Sequence, residues 1–224
     1  RIRLTATRHC RTATVVMPVL QAPAVQATAI TPTTTGTGTT AMSTVANFFD
    51  LQVTASEGVL VCGLTTTTHF GFGPYDVDVF VTPASYLGKD GNASLWRAVG
   101  HGRGVMTGGT VLQPHFEAVP LDQPFYLPAG TWGISVAHTV PYGWAYMSFS
   151  LSAGGPWPGS DLVFHPTPWK SPGLARMGQF SGLVLSPRQW TGEFHYTRFG
   201  LNNQGGYGLF RLGCAGSVGV PGNV

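Results

Sequence analysis

The chain has 224 residues, enough for one large β domain or one domain with an extension. Charged residues make up only 9%, against roughly 25% in ordinary soluble proteins, while Gly (31) and Pro (17) are abundant. So little charge gives weak protection against self-association and points to a secreted or assembled β protein rather than a cytosolic enzyme. The net charge of +3 comes from Arg1, Arg3, Arg8 and Arg11; the rest carries eight basic and nine acidic groups, which excludes a basic nucleic-acid face there.

Residues 1–46 contain no acidic and no aromatic residue, and eight of the thirteen residues 28–40 are Thr. Such a stretch cannot close a core of its own. It is nevertheless strand-prone, because Thr and Val favour extended geometry. Thr14-Val15-Val16-Met17 and Val25-Gln26-Ala27-Thr28-Ala29-Ile30 read as extended pieces, broken by Pro18, Pro23 and Pro32. The basic start, the mildly apolar residues 12–20 and the small residues 22–29 imitate a secretory signal. Pro18 interrupts the apolar part, so we expect this segment to belong to the working protein, as an arm over residues 1–46. The body is expected over 47–212 and a tail over 213–224.

From residue 46 the pattern becomes that of a core-forming domain. Phe49, Leu51 and Val53 alternate with polar neighbours, and Val59-Leu60-Val61-Cys62-Gly63-Leu64 is a short buried run. In Tyr75-Asp76-Val77-Asp78-Val79-Phe80-Val81 the three valines share one face. Leu95-Trp96-Arg97-Ala98-Val99, Thr110-Val111-Leu112, Phe125-Tyr126-Leu127 and Thr131-Trp132-Gly133-Ile134-Ser135-Val136 follow as strands, with Pro128-Ala129-Gly130 as a turn. Later strands are 145–151, 162–164, 183–185, 192–196 and 207–212. No helical spacing occurs, so the prediction is an all-β, two-sheet antiparallel sandwich or jelly roll with an extended N-terminal segment. Its core should contain Leu51, Val77, Val79, Trp132, Ile134 and Phe194.

Several landmarks recur in a fixed order: Phe49-Asp50, Tyr75-Asp76-Val77, Tyr86-Leu87-Gly88, Leu95-Trp96, Pro128-Ala129-Gly130, and Pro187-Arg188-Gln189-Trp190-Thr191-Gly192 closing on Tyr196. In this order the chain resembles a β-sandwich domain that recurs in secreted and cell-surface bacterial proteins. The resemblance covers residues 49–196; it implies a fold and an extracellular setting, and no reaction.

Candidate chemistry is sparse. The seven histidines (His9, His69, His101, His115, His138, His165 and His195) are scattered singly, without HxH or HExxH spacing. Asp76 and Asp78 share a strand face, but too few other acids stand near them in sequence for a calcium cage. Gly154-Gly155-Pro156-Trp157-Pro158-Gly159-Ser160 is a Pro-rich loop, not a nucleophile elbow. Gly102-Arg103-Gly104 and Gly108-Gly109 read as hairpin loops. Arg188 is expected to cap backbone carbonyls or to pair with Asp76 or Asp78. Asn92-Ala93-Ser94 is a glycosylation sequon. No catalytic centre, metal or cofactor is expected, and no segment is apolar for long enough to span a membrane.

Cys10, Cys62 and Cys214 lack CxxC spacing and allow three disulfide pairings. Cys62 with Cys214 is favoured, because one ends a buried strand and the other follows the last strand. Cys10 would then be free or bridge to another subunit. Tyr142, Trp144, Trp157 and Trp169 are loop-borne aromatics, suited to a subunit contact or to stacking on sugars.

These readings lead to an extracellular structural subunit of a fibre, appendage or coat, whose partners are copies of itself. The arm would donate a strand to a neighbour, with Val15, Met17, Val19, Val25 and Ile30 filling shallow holes. The alternative is a non-catalytic module that binds glycan or another surface ligand.

Overall fold

The computed structural model describes residues 2–8, 11–17, 26–30, 41–42, 44–68, 72–107, 115–140, 145–146, 149–150, 157–158, 160–164 and 173–198. In chain order the strands are β1 (Ile2–Arg8), β2 (Arg11–Met17), β3 (Gln26–Ile30), β4 (Ala41–Met42), β5 (Thr44–Val53), β6 (Val59–Thr68), β7 (Phe72–Pro83), β8 (Arg97–Thr107) and β9 (His115–Leu127). They continue as β10 (Gly130–Thr139), β11 (Ala145–Tyr146), β12 (Phe149–Ser150), β13 (Trp157–Pro158), β14 (Leu162–Phe164), β15 (Leu174–Met177), β16 (Val184–Leu185), β17 (Gln189–Trp190) and β18 (Gly192–Arg198). The one helical piece among the described residues is a 3-10 turn, Ala93–Leu95.

Ten strands follow edge to edge in the order β13-β14-β5-β10-β7-β8-β9-β6-β18-β3, with β15 and β16 attached beside β5. The strand pairs within this sheet are antiparallel. The sheet turns over at the β8–β9 step, where Gly102 opposite Leu121 is the one register pair. A Cβ at Gly102 would stand 2.5 Å from the Pro120 carbonyl oxygen, so glycine is what permits the close approach. The predicted sandwich is thus two layers that remain continuous along one side.

Between the layers lies one apolar core. Val77, Val79 and Val81 of β7, Ile134 and Val136 of β10, and Phe49 and Leu51 of β5 meet Val61 and Leu64 of β6 and Phe194 and Tyr196 of β18. Aromatic rings tie the layers together: Phe49 stacks on Trp190 at 5.4 Å and 4°, and Phe164 stacks on Phe194 at 5.8 Å and 17°. Five of the six predicted core residues are buried, and the sixth, Trp132, is half-buried against the same cluster.

A second, smaller cluster covers the outer face of β5, β10 and β7. It comprises Ala46, Phe48, Tyr86, Trp96 and Ala137, with Phe80, Leu174 and Phe180 packed on it. The connection from β7 to β8 is folded down over this face. Asp50, itself buried, accepts hydrogen bonds from the Tyr86 amide at 2.9 Å and the Ser85 hydroxyl at 2.8 Å.

Two local expectations are corrected. Leu95-Trp96 does not begin a strand. The Asn92 side chain accepts from the Ser94 amide and caps a 3-10 turn, and Trp96 reaches Phe48 edge-on at 5.4 Å. Gly102-Arg103-Gly104 is not a loop but mid-strand in β8. Its glycines face inward because Tyr75 and β9 fill the space that side chains would need.

Candidate functional site: the β18 edge and the arm strand

The titratable groups of the body are mostly engaged with one another. On the outer face of β7 and β8 the register sets Asp76 opposite Arg103 and Asp78 opposite His101. Arg103 Nε donates to Asp76 Oδ1 at 2.9 Å, and His101 Nδ1 lies 2.9 Å from Asp78 Oδ1. The hydrogen bond to Asp78 raises the His101 pKa, and the charges of Asp78, Asp122 and Asp76 add to the effect. Arg188 reaches the Pro187 carbonyl at 2.7 Å, the carbonyl-capping half of its expected role. Asp161 is buried against Arg198, which holds its carboxyl below the usual range. Burial pushes the Asp50 carboxyl up, although the Tyr86 and Ser85 hydrogen bonds oppose this. His138 is buried beneath the Tyr75 ring, 2.7 Å from the Thr66 hydroxyl, and burial lowers its pKa to about 3. Among the described residues no three His, Cys, Asp or Glu side chains converge as metal ligands, and no helix is long and apolar enough to cross a membrane.

The arm meets the body at the end of the second layer. β18 pairs with β6 on one side and with β3 on the other, in register from Gly192 opposite Ile30 to Tyr196 opposite Gln26. β18 owes its fit to composition. Phe194 and Tyr196 fill the core, while Glu193 and His195 stay on the outer face, where His195 Nε2 lies 2.8 Å from the Thr65 hydroxyl. Gly192 admits the Trp190 ring and the Thr65 carbonyl, each nearer than 2.5 Å to where a Cβ would stand. Among the described residues β3 is thus the last strand at this end of the sheet, beside a body strand whose Phe194 and Tyr196 enter the core.

The chain matches no protein-family model and no curated protein sequence. The site is therefore read from its own geometry. Of the expected donor residues, Val15 and Met17 lie in β2, opposite Leu4 and Ile2 of β1. Ile30 lies in β3, opposite Gly192 of the same chain. Val19 and Val25 lie outside the described residues, as do Cys10, Cys214, Tyr142, Trp144 and Trp169; Trp157 forms part of β13. The structure thus separates the expected donor segment into a hairpin, β1–β2, and a sheet strand, β3. Cys62 is buried at a break in register of β6, between Val61 and Gly63.

The β18 side of this pairing had no sequence signal of its own. Gly192-Glu193-Phe194-His195-Tyr196 reads as a strand, but nothing in its alternation distinguishes an edge strand from a central one.

Proposed function

We propose that this protein is a structural subunit of an extracellular fibre, appendage or surface coat, which assembles head-to-tail by placing β3 on the β18 edge of a neighbouring copy. One observation carries the reading: among the described residues, the strand that ends the sheet beyond β18 comes from the charge-poor arm and not from the body. β3 has five residues, Gln26–Ile30, without an aromatic anchor, so backbone pairing dominates its attachment. Residues 31–40 join it to β4. Ten residues can extend to roughly 35 Å, enough to reach an edge on an adjoining body. A strand that completes its own sheet can complete an identical sheet with the same hydrogen bonds, and that is the basis of strand exchange. Exchange that does not close on itself gives filaments.

The reading includes a disulfide from Cys62 to Cys10 or Cys214, supported by the bonded state of the Cys62 sulfur. Such a bridge would hold a terminal segment on the second layer and suits an oxidising, extracellular setting.

Sedimentation and negative-stain microscopy of three proteins test the proposal: the full chain, a chain lacking residues 1–40, and the double variant Ala27→Pro/Thr28→Pro. The adjacent prolines remove a ladder donor whichever way the strand faces. The full chain should form oligomers or fibres, and both altered proteins should be folded monomers. A synthetic peptide of residues 22–34 should bind the truncated chain. Assembly that survives both changes, or a strictly monomeric full chain at high concentration, overturns the proposal.

A further inference from the structure

Where β8 and β9 part at the end of the sandwich, a groove of about 540 Å³ opens, lined by Arg97, Ala98, Val99, Phe125, Tyr126, Pro128 and Trp132. That volume is in the range of small-ligand sites. Its walls come from three strands and owe their shape to identifiable local features. The β7–β8 register slips between Val79 and Phe80, so Val99 is an extra residue on β8. Such bulges re-aim the residues beside them and are enriched next to binding sites. On the far wall Trp132 Nε1 donates to the Pro128 carbonyl at 3.0 Å, and the Tyr126 hydroxyl donates to the Glu57 carbonyl at 2.9 Å. The Tyr126 ring also lies over Gly58, where a Cβ would stand only 2.7 Å from it. Both rings are thus held at their polar ends by protein carbonyls. Their orientation is set before any ligand arrives, which lowers the ordering cost of binding.

Arg97 at this groove differs from the arginines of the body that pair with carboxylates. Arg103, Arg176 and Arg198 each meet a carboxylate, Asp76, Asp90 and Asp161 respectively. Arg97 is exposed and, among the described residues, has no carboxylate or side-chain hydrogen-bond partner. A free guanidinium beside fixed aromatic rings is suited to a ligand with a flat apolar face and a carboxylate at its rim.

We infer that this groove binds a carboxylated saccharide: the sugar ring lies on Trp132, and Arg97 takes the carboxylate. The inference is independent of strand exchange, because no groove residue lies in β3 or β18.

Affinity electrophoresis through gels containing polygalacturonate, alginate or hyaluronan tests it, with methyl-esterified polygalacturonate and dextran as neutral controls. Retardation by at least one acidic polymer is expected, with at least tenfold weaker binding to the neutral controls. Arg97→Glu is a surface change that should leave folding intact and abolish retardation. Trp132→Phe keeps a ring and should weaken binding several-fold, whereas Trp132→Ala should remove it. If no acidic polymer retards the protein, the inference is wrong. It is equally wrong if Arg97→Glu binds like the parent, since the arginine-rich first eleven residues would then be acting as a general polyanion contact. Equal retardation by dextran sulfate and by the best carboxylated polymer would also overturn it.

Discussion

Phe48 and Phe49 are neighbours in sequence, point to opposite faces of β5, and are both fully buried. Phe49 belongs to the large cluster between the layers, where Trp190, Phe164 and Phe194 surround it within 6.4 Å. Phe48 belongs to the small outer cluster, covered by Trp96 at 5.4 Å and Phe180 at 5.9 Å. The inner face is closed by the opposite layer of the sandwich, and the outer face by connecting segments laid over it. The first arrangement follows from strand alternation alone. The second depends on how the β7–β8 connection is pinned, and Asp50 does much of that by holding Ser85 and Tyr86. Aromatic landmarks of the resemblance, Phe49, Trp96 and Trp190, thus fall in packing positions.

The largest expected difference between the faces is found along β7. Val79→Asp would bury a carboxylate in the inner cluster without a partner, at a cost of roughly 5 kcal/mol or more, comparable to the stability of a whole domain. Phe80→Asp, one residue on, faces the side that already carries Asp76 and Asp78 and should leave a folded protein. Far-UV and near-UV circular dichroism of the two variants separates the outcomes. Equal loss of structure in both would mean that the outer cluster is as essential as the inner.

Truncation at the adjacent phenylalanines sharpens the contrast. Phe49→Ala should lower unfolding stability by about 3–5 kcal/mol. Phe48→Ala should fall at or below the lower end of that range, because the covering connection can settle into part of the space. Denaturant midpoints measure the difference. Hydrogen exchange should show loss of protection in residues 84–96 for Phe48→Ala and across both layers for Phe49→Ala.

Legibility in the sequence follows the same division. The valines of β7 alternate with Asp76, Asp78 and Phe80, and their shared face was readable directly. β8 was not, because Gly100, Gly102 and Gly104 carry the usual turn signature while serving as inward positions beneath Tyr75 and β9. Trp96 read as a strand residue because apolar periodicity cannot tell a strand from a capped turn that tucks its indole against another sheet. The arm was legible as extended but not as to its partner, since threonine, alanine and valine supply no anchor that fixes a register. The groove was invisible for a different reason: Arg97 lies far in sequence from Tyr126 and Trp132, and only the fold sets the start of β8 beside the β9–β10 turn.

Each face also holds a buried titratable group, and the two respond to acid in opposite senses. His138, on the inner face, has its pKa lowered to about 3 by burial, against an ordinary 6.5. The unfolded chain therefore takes up a proton below pH 6.5 that the folded chain refuses. The stability is fully present above pH 6.5 and is lost as the pH falls towards about 3, by about 1.4 kcal/mol per unit. Asp50, on the outer face, has its pKa raised by burial, so its contribution is present at low pH and is lost as the pH rises through its folded pKa. Urea midpoints of the parent and of His138→Gln between pH 7 and 4 check the larger effect. The parent should weaken steadily, and the variant should follow a shallower slope. Parallel curves would show that His138 is not the source of acid sensitivity.

The smallest effect belongs to the polar part of the outer face, where His101 and Asp78 stand opposite each other across β7 and β8. Both side chains are well exposed, 45% and 36%, so water and salt screen the pair, and its contribution is expected below about 1 kcal/mol. The sign is still definite. The hydrogen bond to Asp78 raises the folded pKa of His101 above 6.5, so the pair stabilises below pH 6.5 and that contribution is lost as the pH rises through the folded value. Asp78→Asn removes the carboxylate that chiefly raises the pKa and leaves Asp122, whose carboxylate is 3.9 Å from His101 Nε2. An NMR titration of the His101 ring should therefore show a pKa above that of a free imidazole in the parent and a partial return in the variant. Added salt should shrink the difference. A variant whose His101 titrates as in the parent would assign the perturbation to Asp122, and the cross-strand register would then have no electrostatic consequence on this face.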